Sequence, residues 1–138
     1  MWSERVACGS VVATIRVAVC DDARAVKFFL RQVLEEEGDI EVVATTSTGE
    51  EAVQKISDCP TDVLLLDLVL PDVPEPAALV GQIRERSPDT AIVLISNMPP
   101  SNLEKEAERL KADGWMPKAA KPAQLRDAVR AAMTAAPD

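Results

Sequence analysis

Five short apolar runs recur along the chain with almost no polar residue inside them: IRVAVC (15–20), EVVATT (41–46), DVLLLD (62–67), AIVLIS (91–96) and a weaker GWMPK (114–118). A strand with one face in water alternates apolar and polar residues, so continuous apolar runs call for strands covered on both faces. That implies a parallel sheet. Between the runs lie segments of helical periodicity. The stretch 24–37 repeats Val26, Phe29, Leu30, Val33 and Leu34 and stops at Gly38, while Phe28 falls outside this stripe and is expected on the surface. Thr48 stands three residues before Glu51, a capping-box spacing that opens a helix at about 49–57. Leu79, Val80 and Ile83 carry a helix over 76–86, with Pro88 beyond its end. Pro99 and Pro100 fit a helix start ahead of 101–112, and Pro122 opens a last helix with Leu125, Ala128, Val129 and Ala132 inward. Five βα units with right-handed crossovers place helices on both faces of a doubly wound sheet, strand order 2-1-3-4-5. In such α/β folds the ligand site lies at the carboxyl ends of the strands.

Composition narrows the function classes. The 138 residues suit one core, and 47% hydrophobic with 28% charged residues is ordinary globular composition. Residues 1–13 read as a disordered leader and 14–135 as one domain. The net charge of −8 and the lack of a Lys/Arg cluster argue against direct nucleic-acid binding by this segment and suit a protein partner. Cys8, Cys20 and Cys59 form no C-x-x-C pair and the chain has no histidine, so neither a zinc site nor a disulfide framework is indicated. Reduced thiols in a cytoplasmic setting follow, with Cys20 buried in a strand. No apolar run approaches the ~18 residues needed to cross a bilayer, so no membrane association is expected.

The polar residues cluster where the apolar runs end. Strand one ends in Asp21 and Asp22, strand three in Asp67, strand four in Ser96 and strand five in Lys118. In a parallel sheet all of these reach one edge. Carboxylates crowded together repel unless a cation sits among them, and hard oxygen ligands select Mg2+ or Mn2+. A lysine ammonium and a hydroxyl nearby can neutralise and hydrogen-bond a phosphoryl group on a carboxylate. Asp67, on the central strand, is the natural nucleophile. Taken singly, each residue has a plainer reading: Asp21 and Asp22 as caps of the first helix, Asp67 and Ser96 as turn formers, Lys118 as a surface lysine.

The succession CDD (20–22), LLLDLVLP (64–71), IVLISN (92–97) and GWMPK (114–118) resembles the receiver domain of bacterial two-component response regulators over about residues 15–134. The tracts GDIEVVATTSTGEEAV (38–53) and KADGWMPKAAKPAQL (111–125) are most similar to the class joined to LuxR-type helix-turn-helix output domains. The resemblance implies a flavodoxin-like receiver fold and makes Asp67 the phosphoryl acceptor. It also implies direct metal contacts from Asp22 and Asp67, a water-mediated one from Asp21, and a backbone carbonyl ligand from Val69. Ser96 and Lys118 would hold phosphoryl oxygens, with Lys121 competing for the lysine role, and Ser96 and Trp115 would form the switch. The implied partners are a sensor histidine kinase, a homodimer, and a C-terminal DNA-binding output domain outside this chain. Signalling would run through the helix 4–strand 5–helix 5 face or through dimerisation, for which Phe28 offers a surface aromatic. The domain would be no enzyme beyond handling its own acyl phosphate.

Three departures from the family pattern bear on detail. Pro74, Glu75 and Pro76 replace the Asp-Gly turn after the acceptor strand, so the loop is expected to start helix three by another path without a glycine at positive φ. Proline precedes the site lysine, as Met116-Pro117-Lys118, instead of following it. Val69 and Met98 lie two residues past the acceptor and the hydroxyl, where family members often carry polar groups, and apolar residues there are expected to slow hydrolysis of the acyl phosphate. The missing glycine and the shifted proline keep open an alternative: a phosphorylation-independent pseudo-receiver acting as a protein-binding module.

Overall fold

In the computed structural model, which describes residues 14–135, each apolar run becomes a strand: β1 (Ile15–Cys20), β2 (Ile40–Thr46), β3 (Val63–Asp67), β4 (Ala91–Ser96) and β5 (Gly114–Pro117). The leader expected at 1–13 lies outside the described residues. The helices are α1 (Arg24–Glu35), α2 (Gly49–Asp58), α3 (Pro76–Arg86), α4 (Pro100–Leu110) and α5 (Pro122–Ala135). The strands form one parallel sheet in the order β2-β1-β3-β4-β5.

Why the runs are continuously apolar is visible in the two layers of core. Ala18, Cys20, Leu64, Leu66, Ile92 and Leu94 pack under α2, α3 and α4, against Ile56, Ile83 and Leu103. The intervening residues Val17, Val19, Val63, Leu65, Val93 and Ile95 point the other way, against Leu30 and Leu34 of α1 and Leu125 and Val129 of α5. Every position of β3 and β4 is buried. Each large aliphatic removed from water contributes about 1.5–3 kcal/mol, so a polar residue on either face would be costly. Only the edges relax: β2 alternates toward intermediate exposure, and all of β5 is half-buried.

Helix ends follow local chemistry. Thr48 accepts the Glu51 N–H at 3.1 Å, while the Glu51 carboxylate reaches back to the Ser47 N–H at 2.8 Å, one residue beyond the usual capping-box partner. The first helix ends at Glu35 rather than 37, where three-residue bonds from the Glu36 N–H to the Val33 carbonyl and from the Gly38 N–H to the Glu35 carbonyl replace the four-residue helical pattern, and Gly38 takes φ +85°. Helix α4 starts at Pro100 and ends two residues before the expected 112. There Lys111 adopts φ 57° and the Ala112 N–H returns to the Ala107 carbonyl, a Schellman closure made without glycine.

Phe28 is exposed as expected, at 66%, but Phe29 corrects the inward stripe, since it is 45% exposed. Leu30, Val33 and Leu34 already fill the space beneath α1, and Phe29 only borders a crevice between α1 and α5.

In α3, Gly81 is exposed and a Cβ built there meets nothing within 4 Å. A glycine inside a helix costs roughly 0.5–1 kcal/mol relative to alanine. Gly81→Ala is therefore expected to raise unfolding free energy by about that amount; a urea midpoint unchanged or lowered at constant slope would contradict it.

Candidate functional site

At the carboxyl edge of the sheet, register decides which side chains meet. Cys20 pairs with Leu66 and Asp67 with Ile95, so Asp21 and Asp67 leave adjacent strands at the same height. Ser96 pairs with Pro117, and its carbonyl accepts the Lys118 N–H at 3.0 Å, which brings the lysine to the same rim. One carboxylate oxygen each from Asp21, Asp22 and Asp67 lies within 4.8 Å of the others. Asp21 is fully buried, Asp67 is 4% exposed, and Asp22 faces solvent. The Lys118 ammonium stands 2.7 Å from Asp21 Oδ2 and 3.2 Å from Asp67 Oδ2.

Two buried carboxylates sharing one ammonium form an electrostatically tight group. Burial, reinforced by the charge of Asp21, pushes the Asp67 carboxyl above the usual aspartate range, against the Val69 N–H bond and the Lys118 charge. Burial works to lower the Lys118 ammonium, but its hydrogen bond to Asp21 and the charges of Asp67 and Asp21 outweigh that and raise it. The donors are hard oxygens, and the Cys20 thiol is turned to the Thr48 carbonyl at 3.3 Å and pushed up to about 11, chiefly by burial. Such a set fits a hard divalent cation and not a thiophilic one.

Neither aspartate at the end of β1 uses its side chain to cap α1. The cap position is Ala23, without a side-chain hydrogen bond, and Asp21 Oδ1 instead accepts the Ala23 N–H at 2.8 Å. Asp67 Oδ1 accepts the Val69 N–H at 3.1 Å, while the Val69 side chain is 68% exposed. Ser96 is buried, with its hydroxyl accepting the Met98 N–H at 3.2 Å, and Met98 packs half-buried against the core under α2–α4. Lys121 is exposed and its N–H bonds Gln124, so Lys118 is the lysine that meets the carboxylates. Trp115 is half-buried on β5, paired with Leu94, and borders the surface between α4 and α5 beside Pro100, Pro117 and Ala120.

Asp72 was not among the residues singled out in the sequence. It sits in the turn Leu70-Pro71-Asp72-Val73, closed by the Val73 N–H on the Leu70 carbonyl at 3.0 Å. Among the described residues positive φ occurs only at Gly38 and Lys111, so the loop after Asp67 does take a path that needs no glycine. A proline-led turn at negative φ is sufficient.

The response regulator receiver domain family matches residues 17–130 of the chain. The oxygen regulatory protein NreC of Staphylococcus aureus is 30% identical over 116 residues, covering 84% of this chain and 54% of NreC. The chain thus spans about half the length of the curated relatives it matches. Among solved structures, the signal receiver domain of the response regulator NarL from Mycobacterium tuberculosis superposes with a TM-score of 0.79 at 25% identity, covering 89% of this chain and 98% of that one. A LuxR-family two-component response regulator from Aurantimonas sp. gives 0.78 at 26% identity, covering 88% and 86%.

The shared ammonium yields a stability test without metal. Lys118→Ala leaves two buried carboxylates facing each other and is expected to cost roughly 3 kcal/mol in EDTA at neutral pH. Asp67→Asn should act oppositely. A folded-state carboxyl raised above its unfolded value binds protons more tightly when folded, so stability falls as pH rises from the unfolded pKa through the folded one. Asparagine removes that penalty, and thermal unfolding at neutral pH should occur at higher temperature. Equal stability of Lys118→Ala and wild type would show that the ammonium is not the counterion.

Proposed function

The chain belongs to the response regulator receiver domain family, and from that footing we propose that it is a phosphoacceptor switch of a two-component system, with Asp67 as the acceptor. The observation that carries this reading is the convergence of Asp21, Asp22, Asp67 and Lys118 at one edge of the sheet. Asp67 would attack the phosphorus carried by a histidine of a sensor kinase: an oxygen–phosphorus bond forms as the phosphorus–nitrogen bond breaks, and the electron pair leaves with the imidazole. A magnesium or manganese ion, held by Asp21, Asp22, Asp67 and the Val69 carbonyl, would supply charge neutralisation for the transferring oxygens. Lys118 and Ser96 would take the remaining phosphoryl oxygens, Lys118 exchanging an aspartate partner for one of them.

The geometry favours this over a phosphorylation-independent binding module. Proline before the lysine does not withdraw the ammonium, which stays at 2.7 and 3.2 Å from the two carboxylates. In the same proposal Ser96 moves toward the phosphoryl group and Trp115 follows, altering the surface of α4, β5 and α5 or the tendency to dimerise. The readers of that surface would be a second copy or a C-terminal DNA-binding output domain of the LuxR type, in keeping with NreC, of which the matched segment covers 54%. The span 14–135 is proposed as the receiver unit, regulatory rather than enzymatic. Among the described residues no helix is long and apolar enough to cross a membrane.

Incubation with acetyl phosphate and magnesium should add the mass of one phosphoryl group to the wild type and none to Asp67→Asn; an unmodified wild-type chain would sink the reading. Val69 stands exposed beside the acceptor, so Val69→Asn should shorten the acyl-phosphate half-life several-fold by admitting and orienting water. A half-life unchanged in that variant would remove Val69 as a shield.

A further inference from the structure

The loop that follows the acceptor is fastened to the start of α2, and the fastening is carried by two residues outside the acidic pocket. Both oxygens of Asp72 lie within hydrogen-bond distance of the Gly49 N–H, at 3.2 and 3.1 Å. Gly49 is the first residue of α2, where an N–H has no partner within the helix and a negative charge is favoured. The contact is backbone-close: a Cβ at Gly49 would fall 2.6 Å from Val73 Cγ2 and 3.1 and 3.2 Å from the methyls of Leu79. Glycine is needed there by proximity, not by φ. On the other side, the same loop donates its Val69 N–H to Asp67 at 3.1 Å, and Leu70 is buried in the core under α2–α4. The segment 69–73 is therefore held at both ends, by the acceptor aspartate and by α2.

From this we infer that Asp72 and Gly49 form a latch that positions the acceptor loop, so that Asp72 is a positioning residue for metal binding and phosphoryl uptake at Asp67. The inference rests on the function proposed above. It also accounts for the missing glycine after the acceptor strand: the loop is fixed by an external anchor on a neighbouring helix in place of an internal turn at positive φ. Rigidity matters because a ligand carbonyl that wanders by about 1 Å loses most of its contribution to a site. Asp72 itself touches neither the carboxylate cluster nor Lys118 in the hydrogen bonds and ion pairs of this site, so its effect would pass through the backbone of residues 69–71.

Magnesium titration by calorimetry, and phosphoryl uptake from acetyl phosphate at graded magnesium, test this on wild type, Asp72→Ala and Asp72→Asn. The expected result is a half-saturating magnesium concentration raised about threefold to tenfold in Asp72→Ala, the size of one lost capping interaction. The uptake rate at saturating magnesium should stay near that of wild type. Asp72→Asn keeps an acceptor oxygen for the Gly49 N–H and should lie close to wild type, within about twofold. A purely structural role would lower melting temperature without moving the magnesium dependence. Magnesium affinity equal to wild type in a folded Asp72→Ala overturns the latch. Should Asp72→Ala fail to fold, the metal-free wild type decides by amide exchange: a slowly exchanging Gly49 N–H supports the latch, and a Gly49 N–H exchanging as fast as the exposed loop amides overturns it. A wild type that binds no magnesium and takes up no phosphoryl group would instead refute the function on which the latch depends.

Discussion

Repulsion between carboxylates at the end of a parallel sheet is the constraint around which this molecule is organised. Asp21 and Asp67 are almost wholly buried on adjacent strands, and nothing apolar can take their place without emptying the pocket of its chemistry. A single ammonium, Lys118, lies against both. In the low-dielectric surroundings of a sheet end this arrangement is a charged trio with net negative charge, before Asp22 is counted. Such a group is poised to take up a cation or to trade one of its own contacts for a new anion held by the same ammonium.

The rest of the fold supplies rigidity at that edge. Both layers of aliphatic core close over β3 and β4, so the strand carrying Asp67 cannot tilt without disturbing helices on both faces. At the opposite end, the Asp113 carboxylate accepts the Ile92 N–H at 2.8 Å and pairs with Arg84, tying α3 to the start of β4. Arg126 and Arg130 of α5 reach Glu36, Glu37 and Asp39 at the exit of α1, which fixes the two helices that cover one face. Exposed pairs of this kind contribute little individually, but several on one corner limit sliding of α5 past α1.

Where sequence reasoning fell short, competition between neighbouring groups was the cause. Phe29 belongs to the apolar periodicity of α1, yet Leu30 and Leu34 occupy the space beneath the helix and leave it 45% exposed. Asp72 carried no periodic or motif signal, because its partner is a backbone amide 23 residues away and backbone amides leave no trace in a sequence.

The sequence by itself determined the strands, the helices, the strand order and the placing of Asp21, Asp22, Asp67, Ser96 and Lys118 at strand ends, because two-sided burial imposes a continuous apolar pattern and parallel crossovers bring all carboxyl ends to one edge. Tertiary structure alone decided that the Lys118 ammonium bridges two carboxylates while Lys121 stays in solvent, and that the loop after Asp67 is bonded to α2 through Asp72. Those outcomes depend on distances of a few ångströms between segments far apart in the chain. Periodicity records which face a residue takes, but not which of several equally charged groups arrives first at a shared partner.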